Sequence, residues 1–218
     1  IVLDRAAPEP SPAPGWAIIR PTRVGVRTED GVANADRVLG AEFVGVVERV
    51  EPDPDRGLPE SDAKKWKGKR VVGSARVPCG ACDLCTRGLA RHCAGARTLG
   101  DTLDGCFADA FTLPLANLVE APKSVDDDAA VFAQPLADAL HTAAQVRVEG
   151  KPYITILGDG ALALLCAQVM SRLNASVRVV GVHERNLELC EKWGVKHRPL
   201  AEVGRRADQD VVVECTGS

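Results

Sequence analysis

The sequence predicts an α/β fold in which a β-rich domain precedes a doubly wound parallel sheet. Two observations support this prediction. Up to residue 125, short β-rich segments alternate with clusters of Pro, Gly and Asp, which is typical of an irregular β domain. Beyond that point, helical and strand patterns alternate, as parallel strands with crossover helices require. We therefore expect two domains, 1–125 and 126–218, and the second begins with a linking helix.

The individual elements follow from apolar spacing and turn residues. Apolar and β-branched segments between turn clusters predict strands at 16–20, 22–26, 43–50, 70–72 and 107–113. In the second domain, the same reasoning predicts strands at 153–157, 177–182 and 211–214. Helical patterns predict helices at 125–147, 161–173 and 185–193. Ser124 is the candidate N-cap of the first helix.

A cysteine-rich lobe, at about residues 76–98, interrupts the β domain. Its thiols form two overlapping two-residue spacings followed by a fourth thiol eight positions later: Cys79, Cys82, Cys85 and Cys93. Four thiolates suit a tetrahedral Zn²⁺ and leave no open position for a substrate, which predicts one structural zinc per chain. Two disulfides or four unrelated thiols are the alternatives. The other four cysteines are scattered in ordinary contexts, which indicates a reducing compartment.

Composition narrows the class of protein. The chain has 218 residues, 45% of them hydrophobic, and a formal charge of −3 from 27 basic and 30 acidic residues. The basic residues are dispersed, which argues against nucleic acid or an anionic membrane as a partner. The longest apolar stretch, 154–170, contains Asp159 in a glycine-rich turn and does not read as a membrane span. We expect a cytoplasmic protein that acts on a small molecule, with no nucleic acid and no membrane partner.

A dinucleotide-binding pattern lies where the first strand of the second domain meets its helix. The pattern is G-x-G-x-x-A, and its residues are Gly158, Asp159, Gly160, Ala161, Leu162 and Ala163. In such a loop the first glycine allows the turn, the second lets a pyrophosphate approach the backbone, and the helix N-terminus offers N–H groups to phosphate. A tight turn without a ligand is the alternative.

The end of the next strand bears on the choice between NAD and NADP. NAD-binding proteins usually place an Asp or Glu there to accept hydrogen bonds from the adenosine ribose. Here the chain reads His183, Glu184 and Arg185. Two cation-capable side chains suit a 2′-phosphate better than a diol, which favours NADP, while Glu184 leaves NAD open. The alternative is that His183 and Arg185 simply begin a solvated helix.

Together these motifs resemble the zinc-type medium-chain alcohol dehydrogenases. The resemblance includes the four lobe cysteines, the loop 158–163 and the segment 214–217, in which Thr216 and Gly217 match cofactor-binding positions. It implies a GroES-like β domain with a structural zinc lobe, joined to a Rossmann domain that binds NAD or NADP. By the family pattern, the Rossmann sheet is incomplete after about four strands, so we expect either a fragment or shortened protein, or a homo-oligomer or partner chain that completes the sheet.

The sequence departs from the family at the three catalytic zinc ligands. The family's Cys, His and Glu positions carry Arg27, Ala41 and Gln134. Arginine stays protonated, alanine has no ligating atom and glutamine lacks charge, so we expect no catalytic zinc. By the resemblance, Asp30 and Glu42 match residues that support the ligands.

Two roles remain for the altered site. Arg27, with Glu42 nearby, is a candidate catalytic residue that stabilises a developing oxyanion. Alternatively, an ion pair simply fills the vacated metal site. The sequence thus leaves two functions: an NAD(P)-dependent oxidoreductase that transfers hydride to or from an alcohol or carbonyl, or an inactive relative or fragment that retains the zinc and the nucleotide.

Overall fold

A computed structural model describes residues 8–27, 30, 37–147, 149–204 and 209–217. The chain divides between Gln134 and Pro135 into two units. Each unit contains an apolar core of its own. The α/β fold predicted from the sequence is confirmed, with an antiparallel sheet in the first unit and a parallel sheet in the second.

The first unit contains seven strands among its described residues. They are β1 Trp16–Gly25, β2 Glu42–Val50, β3 Arg70–Gly73, β4 Arg76–Val77, β5 Arg97–Thr98, β6 Phe111–Pro114 and β7 Leu118–Glu120. Five of them form the antiparallel sheet in the order β6-β1-β2-β3-β7, while β4 pairs with β5. This is the GroES-like sheet that the resemblance implies.

Local chemistry explains how these strands differ from the predicted segments. The segments predicted at 16–20 and 22–26 are one strand, because Pro21 lies at a register shift between β1 and β2, where a missing N–H is tolerated. The last segment begins at Phe111 and not at Phe107. The Phe107 ring lies against Gly40, where an added Cβ would be 2.3 Å from the ring. The core closes with Phe43 and Phe111 in an edge-to-face contact, with ring centroids 4.7 Å apart.

Four α-helices precede the parallel sheet in the described chain. They are α1 Glu60–Lys64, α2 Asp83–Thr86, α3 Asp127–Ala130 and α4 Ala133–Gln145. The single helix predicted over 125–147 is wrong, because it is split into α3 and α4. Pro135 causes the break, since its ring would clash with the carbonyl of Val131 in a continuous helix. The predicted cap is also wrong: Asp126, and not Ser124, accepts the Ala129 N–H, at 2.8 Å.

The second unit alternates strands and helices. They are β8 Tyr153–Leu157, α5 Ala161–Met170, β9 Ser176–Gly181, α6 Glu184–Lys192, β10 Lys196–Pro199 and β11 Val211–Glu214. The strands are parallel and ordered β10-β9-β8-β11. This order matches the first four strands of a doubly wound dinucleotide-binding sheet.

The sequence analysis missed β10. Its residues read Lys-His-Arg-Pro and are mostly exposed, so the strand lacks the apolar run by which the other parallel strands were found. Pairing with β9 on one side is enough to form it. Within the described part of the chain, no helix is both long and apolar enough to cross a membrane.

Candidate functional site

The four lobe cysteines come together in space. The Sγ atoms of Cys79 and Cys85 are 3.9 Å apart, those of Cys82 and Cys85 are 3.5 Å apart, and those of Cys82 and Cys93 are 3.8 Å apart. All four sulfurs lie within 4.8 Å of one another. Cys82 lies at the N-cap position of α2, and Cys93 follows the short 3-10 helix Ala90–His92, so two tight turns set the arrangement.

These separations fit one tetrahedral metal ion. A Zn–S bond of about 2.3 Å places tetrahedral sulfurs about 3.8 Å apart. A disulfide would need sulfurs about 2.05 Å apart. All eight cysteines are free thiols in this structure. The sulfur separations therefore favour a zinc site over the disulfide alternative.

The surroundings of the lobe thiols act differently on Cys79 and Cys85, and only those of Cys79 favour anionic sulfur. Backbone N–H groups of Ala81 and Cys82 donate to Cys79 and lower the pKa of its thiol to about 6. Burial, followed by a hydrogen bond with Cys82, raises the pKa of Cys85 to about 12. The Arg76 guanidinium donates to the Cys93 carbonyl at 2.8 Å, which fixes the last ligand position to β4.

The glycine loop connects β8 to α5. Gly158 has φ +110°, and a Cβ there would lie 3.3 Å from the Cys215 backbone, so glycine is needed for both conformation and space. Gly160 is the N-cap of α5, and a Cβ there would meet nothing within 4 Å. The exposed residues Ala161 and Leu162 form the first turn, whose N–H groups have no intrahelical partner. The loop thus offers space and donors for a phosphate.

The side chain of Asp159 does not face that open space. It is buried and reaches the end of β9 beside Gly181. A Cβ added at Gly181 would lie only 2.5 Å from an Asp159 carboxylate oxygen, so the carboxylate needs glycine at that position. One carboxylate oxygen accepts the N–H groups of Val182 and His183 at 2.9 and 2.6 Å. The other lies 2.9 Å from His183 Nδ1. This contact was not predicted, because it depends on the space at Gly181, which is distant from Asp159 in sequence.

The remaining nucleotide candidates lie around the same end of the sheet. His183 is the N-cap of α6, and Arg185 is an exposed residue in the first turn of that helix. Thr216 follows β11, and its backbone N–H and hydroxyl both donate to Glu214. Gly217 is exposed with φ +73°. Because the carboxyl ends of β8, β9 and β11 share one edge, the sheet brings the predicted nucleotide segments to that edge.

In the first unit, Arg27 forms an ion pair with Asp30. The guanidinium lies 2.9 Å from one carboxylate oxygen, and the Arg27 backbone N–H donates to the other at 2.8 Å. Asp30 is buried. The Glu42 side chain covers Gly25, whose added Cβ would lie 2.5 Å from a Glu42 carboxylate oxygen.

A buried thiol lies beside this group of charges. Cys106 donates to the Glu42 carbonyl at 3.4 Å. Burial raises the pKa of Cys106 to about 12; Asp30 and Glu42 add to the rise and Arg27 opposes it. The thiol is therefore neutral near pH 7.

The other two altered ligand positions hold no strong metal donor. Ala41 is fully buried and has only a methyl side chain. The Gln134 side-chain oxygen accepts the Ala75 N–H at 3.4 Å. Amide oxygen is a weak ligand for Zn²⁺ beside thiolate, imidazole or carboxylate. The residues at Arg27, Ala41 and Gln134 do not fit a catalytic zinc.

Comparison with known proteins decides the family. The family model for the alcohol dehydrogenase GroES-like domain matches residues 13–123, which is just over half of the chain. The chain belongs to the zinc-type medium-chain alcohol dehydrogenase family. Among curated relatives, L-threonine 3-dehydrogenase of Streptomyces avermitilis is 34% identical in a 200-residue alignment that covers 86% of this chain. The Escherichia coli L-threonine 3-dehydrogenase is 28% identical in a 193-residue alignment that covers 83% of this chain.

The match covers only part of these relatives. The chain spans 56% of the Streptomyces protein and 54% of the Escherichia protein, about half of their length. Among solved structures, alcohol dehydrogenase TADH from Thermus sp. ATN1 superimposes with TM-score 0.82 at 22% identity, covering 99% of this chain and 67% of that one. A candidate zinc-binding dehydrogenase from Sinorhizobium meliloti, bound to NADP, gives TM-score 0.80 at 24% identity over 96% and 65%. At these identities the structures show the shared fold alone.

Proposed function

We propose that this dehydrogenase family member binds NADP or NAD at the glycine loop and transfers hydride to or from an alcohol or carbonyl substrate. The observation that carries the proposal is the open space at Gly160, directly before the N-terminus of α5. A pyrophosphate in that space accepts hydrogen bonds from the first-turn N–H groups and interacts favourably with the helix dipole.

The residues proposed to bind the nucleotide lie at the edge of the sheet where the carboxyl ends of β8, β9 and β11 meet. His183 and Arg185 would face the adenosine ribose. The glycine loop and the first turn of α5 would contact the pyrophosphate, through Gly158, Asp159, Gly160, Ala161 and Leu162. Thr216 and Gly217, after β11, would lie towards the nicotinamide half. His183 and Arg185 favour NADP because both can donate to a 2′-phosphate.

We further propose that Cys79, Cys82, Cys85 and Cys93 hold one structural zinc. The separations of their sulfurs support this role, since they match those of a tetrahedral thiolate site. A metal held by four protein ligands stabilises the lobe and takes no part in the reaction.

The reaction would proceed without a catalytic zinc. A bound nicotinamide would accept hydride from the substrate carbon or supply it, and a proton would pass between the substrate oxygen and water. The role proposed for Arg27 is to stabilise negative charge on that oxygen, with Glu42 beside it. Asp30 would hold the guanidinium in place through its two contacts with Arg27.

A second function, a non-catalytic nucleotide-binding protein, is favoured by the same ion pair. Because Asp30 is buried and contacts both the backbone and the guanidinium of Arg27, the pair can act as a structural replacement for a metal site. Such a protein would bind nucleotide and zinc without turnover.

Nucleotide titration followed by activity assays separates these functions. We would titrate NADPH and NADH fluorescence, then follow NADPH oxidation with aldehydes, ketones and enones. The reverse reaction would start with L-threonine, because the curated relatives are named for it. Turnover that falls at least tenfold in Arg27→Ala supports the oxidoreductase. Binding without turnover supports the second function, and the absence of nucleotide binding contradicts both.

A further inference from the structure

A buried carboxylate in the glycine loop holds an exposed histidine at the ribose end of the nucleotide site. The Asp159 side chain is 6% exposed, while the His183 side chain that it contacts is 68% exposed. Their contact joins Asp159 Oδ1 to His183 Nδ1 at 2.9 Å. The loop and the N-cap of α6 are therefore connected by a side-chain contact as well as by the sheet.

The other contacts of Asp159 show that its carboxylate is built into the loop. Oδ2 accepts the backbone N–H groups of Val182 and His183. The Asn186 side-chain amide donates to the Asp159 carbonyl at 2.9 Å, which ties α6 to the same residue. Burial acts to raise the pKa of Asp159, but the hydrogen bonds from His183 and Val182 outweigh it and leave that pKa below its ordinary value. Asp159 is thus an anion near neutral pH.

An ionised carboxylate fixes the orientation of the His183 ring. A carboxylate accepts hydrogen bonds and cannot donate them, so His183 Nδ1 must carry a proton. The ring then has Nε2 as its other nitrogen, which can donate to an anion when the imidazole is charged. Arg185, exposed two residues later, adds a guanidinium on the same helix turn.

We propose that Asp159 is a positioning residue for cofactor choice, holding His183 so that its Nε2 and the Arg185 guanidinium recognise the 2′-phosphate of an NADP-type nucleotide. This inference rests on the proposed nucleotide binding at Gly160. Asp159 would act through His183 and would not touch the nucleotide with its own side chain, because its carboxylate is turned away from solvent and towards β9.

The direction in which Asp159→Asn changes NADPH affinity distinguishes a positioning role from a mere repulsion between the Asp159 charge and the phosphate. If the Asp159 charge only repelled a phosphate, Asp159→Asn would tighten NADPH binding. If Asp159 positions His183, the same variant loses the charged partner of the ring. NADPH affinity then falls about tenfold, the size expected for one charge-assisted hydrogen bond. NADH affinity changes less than about twofold, since NADH has no 2′-phosphate to contact His183.

The experiment is a double-mutant cycle read by fluorescence titration of NADPH and NADH on the full chain. The proteins are wild type, Asp159→Asn, His183→Ala and the double variant. We expect Asp159→Asn to weaken NADPH about tenfold in the wild-type background and to have no further effect once His183 is removed. Asp210→Asn is the matched control, because its carboxylate also accepts a backbone N–H, from Tyr153 at 2.8 Å, at the opposite end of β8.

Each outcome has one meaning. Additive effects in the cycle, or tighter NADPH binding in Asp159→Asn, would overturn the positioning role. If wild-type protein binds neither nucleotide, the proposed function itself fails. Should Asp159→Asn not fold, ¹⁵N NMR of the His183 ring in wild-type protein still decides: a proton on Nδ1, in a neutral or a charged ring, supports the inference, and a ring protonated at Nε2 alone contradicts it.

Discussion

At the residue scale, the Asp159 carboxylate contacts the end of β9, whereas the backbone of the same loop leaves open space before α5. The glycine motif could be recognised from the sequence, because the backbone requires glycine at Gly158 and the proposed phosphate contact requires it at Gly160. The direction of Asp159 was not legible, because it depends on the space left by Gly181, which is distant in sequence and adjacent in the sheet. Patterns along the chain cannot report such a contact.

Gly160 offers a direct test of nucleotide binding. Gly160→Val should weaken NADPH and NADH alike, by more than about tenfold, because the added side chain occupies the space required by the pyrophosphate. Its added Cβ meets no protein atom within 4 Å and the φ angle is not left-handed, so the unfolding midpoint should fall only slightly, because Val is a poorer N-cap than Gly.

Gly204→Val is the matched control for this experiment, since it also adds a side chain into open space on the same unit. Fluorescence titration and thermal unfolding of both variants give the comparison. Nucleotide affinity that is unaffected in Gly160→Val would show that the loop is only a turn.

Cys106 tests the electrostatic description of the Arg27 region. A pKa of about 12 keeps this thiol protonated at pH 8, and its side chain is buried. Native protein treated with iodoacetamide at pH 8 should therefore carry no label at Cys106, whereas the unfolded protein should be labelled readily. Peptide mass mapping gives the answer, and rapid labelling of the native thiol would contradict the description.

At the element scale, elements with a local apolar signal were found and those fixed by neighbours were not. Strands β8, β9 and β11 were found as apolar runs. The strand β10 forms by pairing with β9 although its own residues are polar. The helix break before α4 was readable in principle from Pro135, but the periodic apolar pattern on both sides concealed it.

The metal lobe is the element most dependent on a few residues. Cys85→Ser should release the zinc and loosen segment 76–98, because metal binding and folding are coupled in small lobes, with apparent binding energies of about 10 kcal/mol or more in isolated zinc peptides. Elemental analysis and proteolysis of the variant test this expectation. Cys190→Ser, a buried thiol in the other unit, is the control and should keep the metal. A Cys85→Ser protein with full zinc content would exclude this ligand set.

The cap of α3 is a second test at this scale. Asp126→Ala should lower the free energy of unfolding by about 1 kcal/mol, since it leaves the Ala129 N–H without its cap. Ser124→Ala should cost less, because Asp126 and not Ser124 is the cap. Urea unfolding of the two variants measures the difference, and a larger loss in Ser124→Ala would contradict the cap assignment.

At the scale of the whole molecule, the chain shares the fold of its family but not the residues expected to hold a catalytic zinc. The GroES-like sheet and the β10-β9-β8-β11 order place the chain among zinc-type dehydrogenases. We expect Arg27, Ala41 and Gln134 to stand at the positions that bind the catalytic zinc in the family, and none of the three offers a strong zinc ligand. The lobe thiols remain close enough to share one ion. These substitutions are visible in the sequence, because ligand chemistry is a property of residue type. An ion pair at this site was one of the two predicted roles, and the structure identifies Asp30 as a partner of Arg27.

We propose that each chain holds one structural zinc and no catalytic zinc. Zinc stoichiometry tests this without requiring a substrate, because it distinguishes the lobe from the altered site. Elemental analysis of protein purified without chelator should give about one zinc per chain, lost in Cys85→Ser and unchanged in Arg27→Ala. Two tightly held zinc ions per chain, one of them lost on replacement of Glu42 or Gln134, would contradict the account and make the protein a zinc-dependent dehydrogenase with unusual ligands.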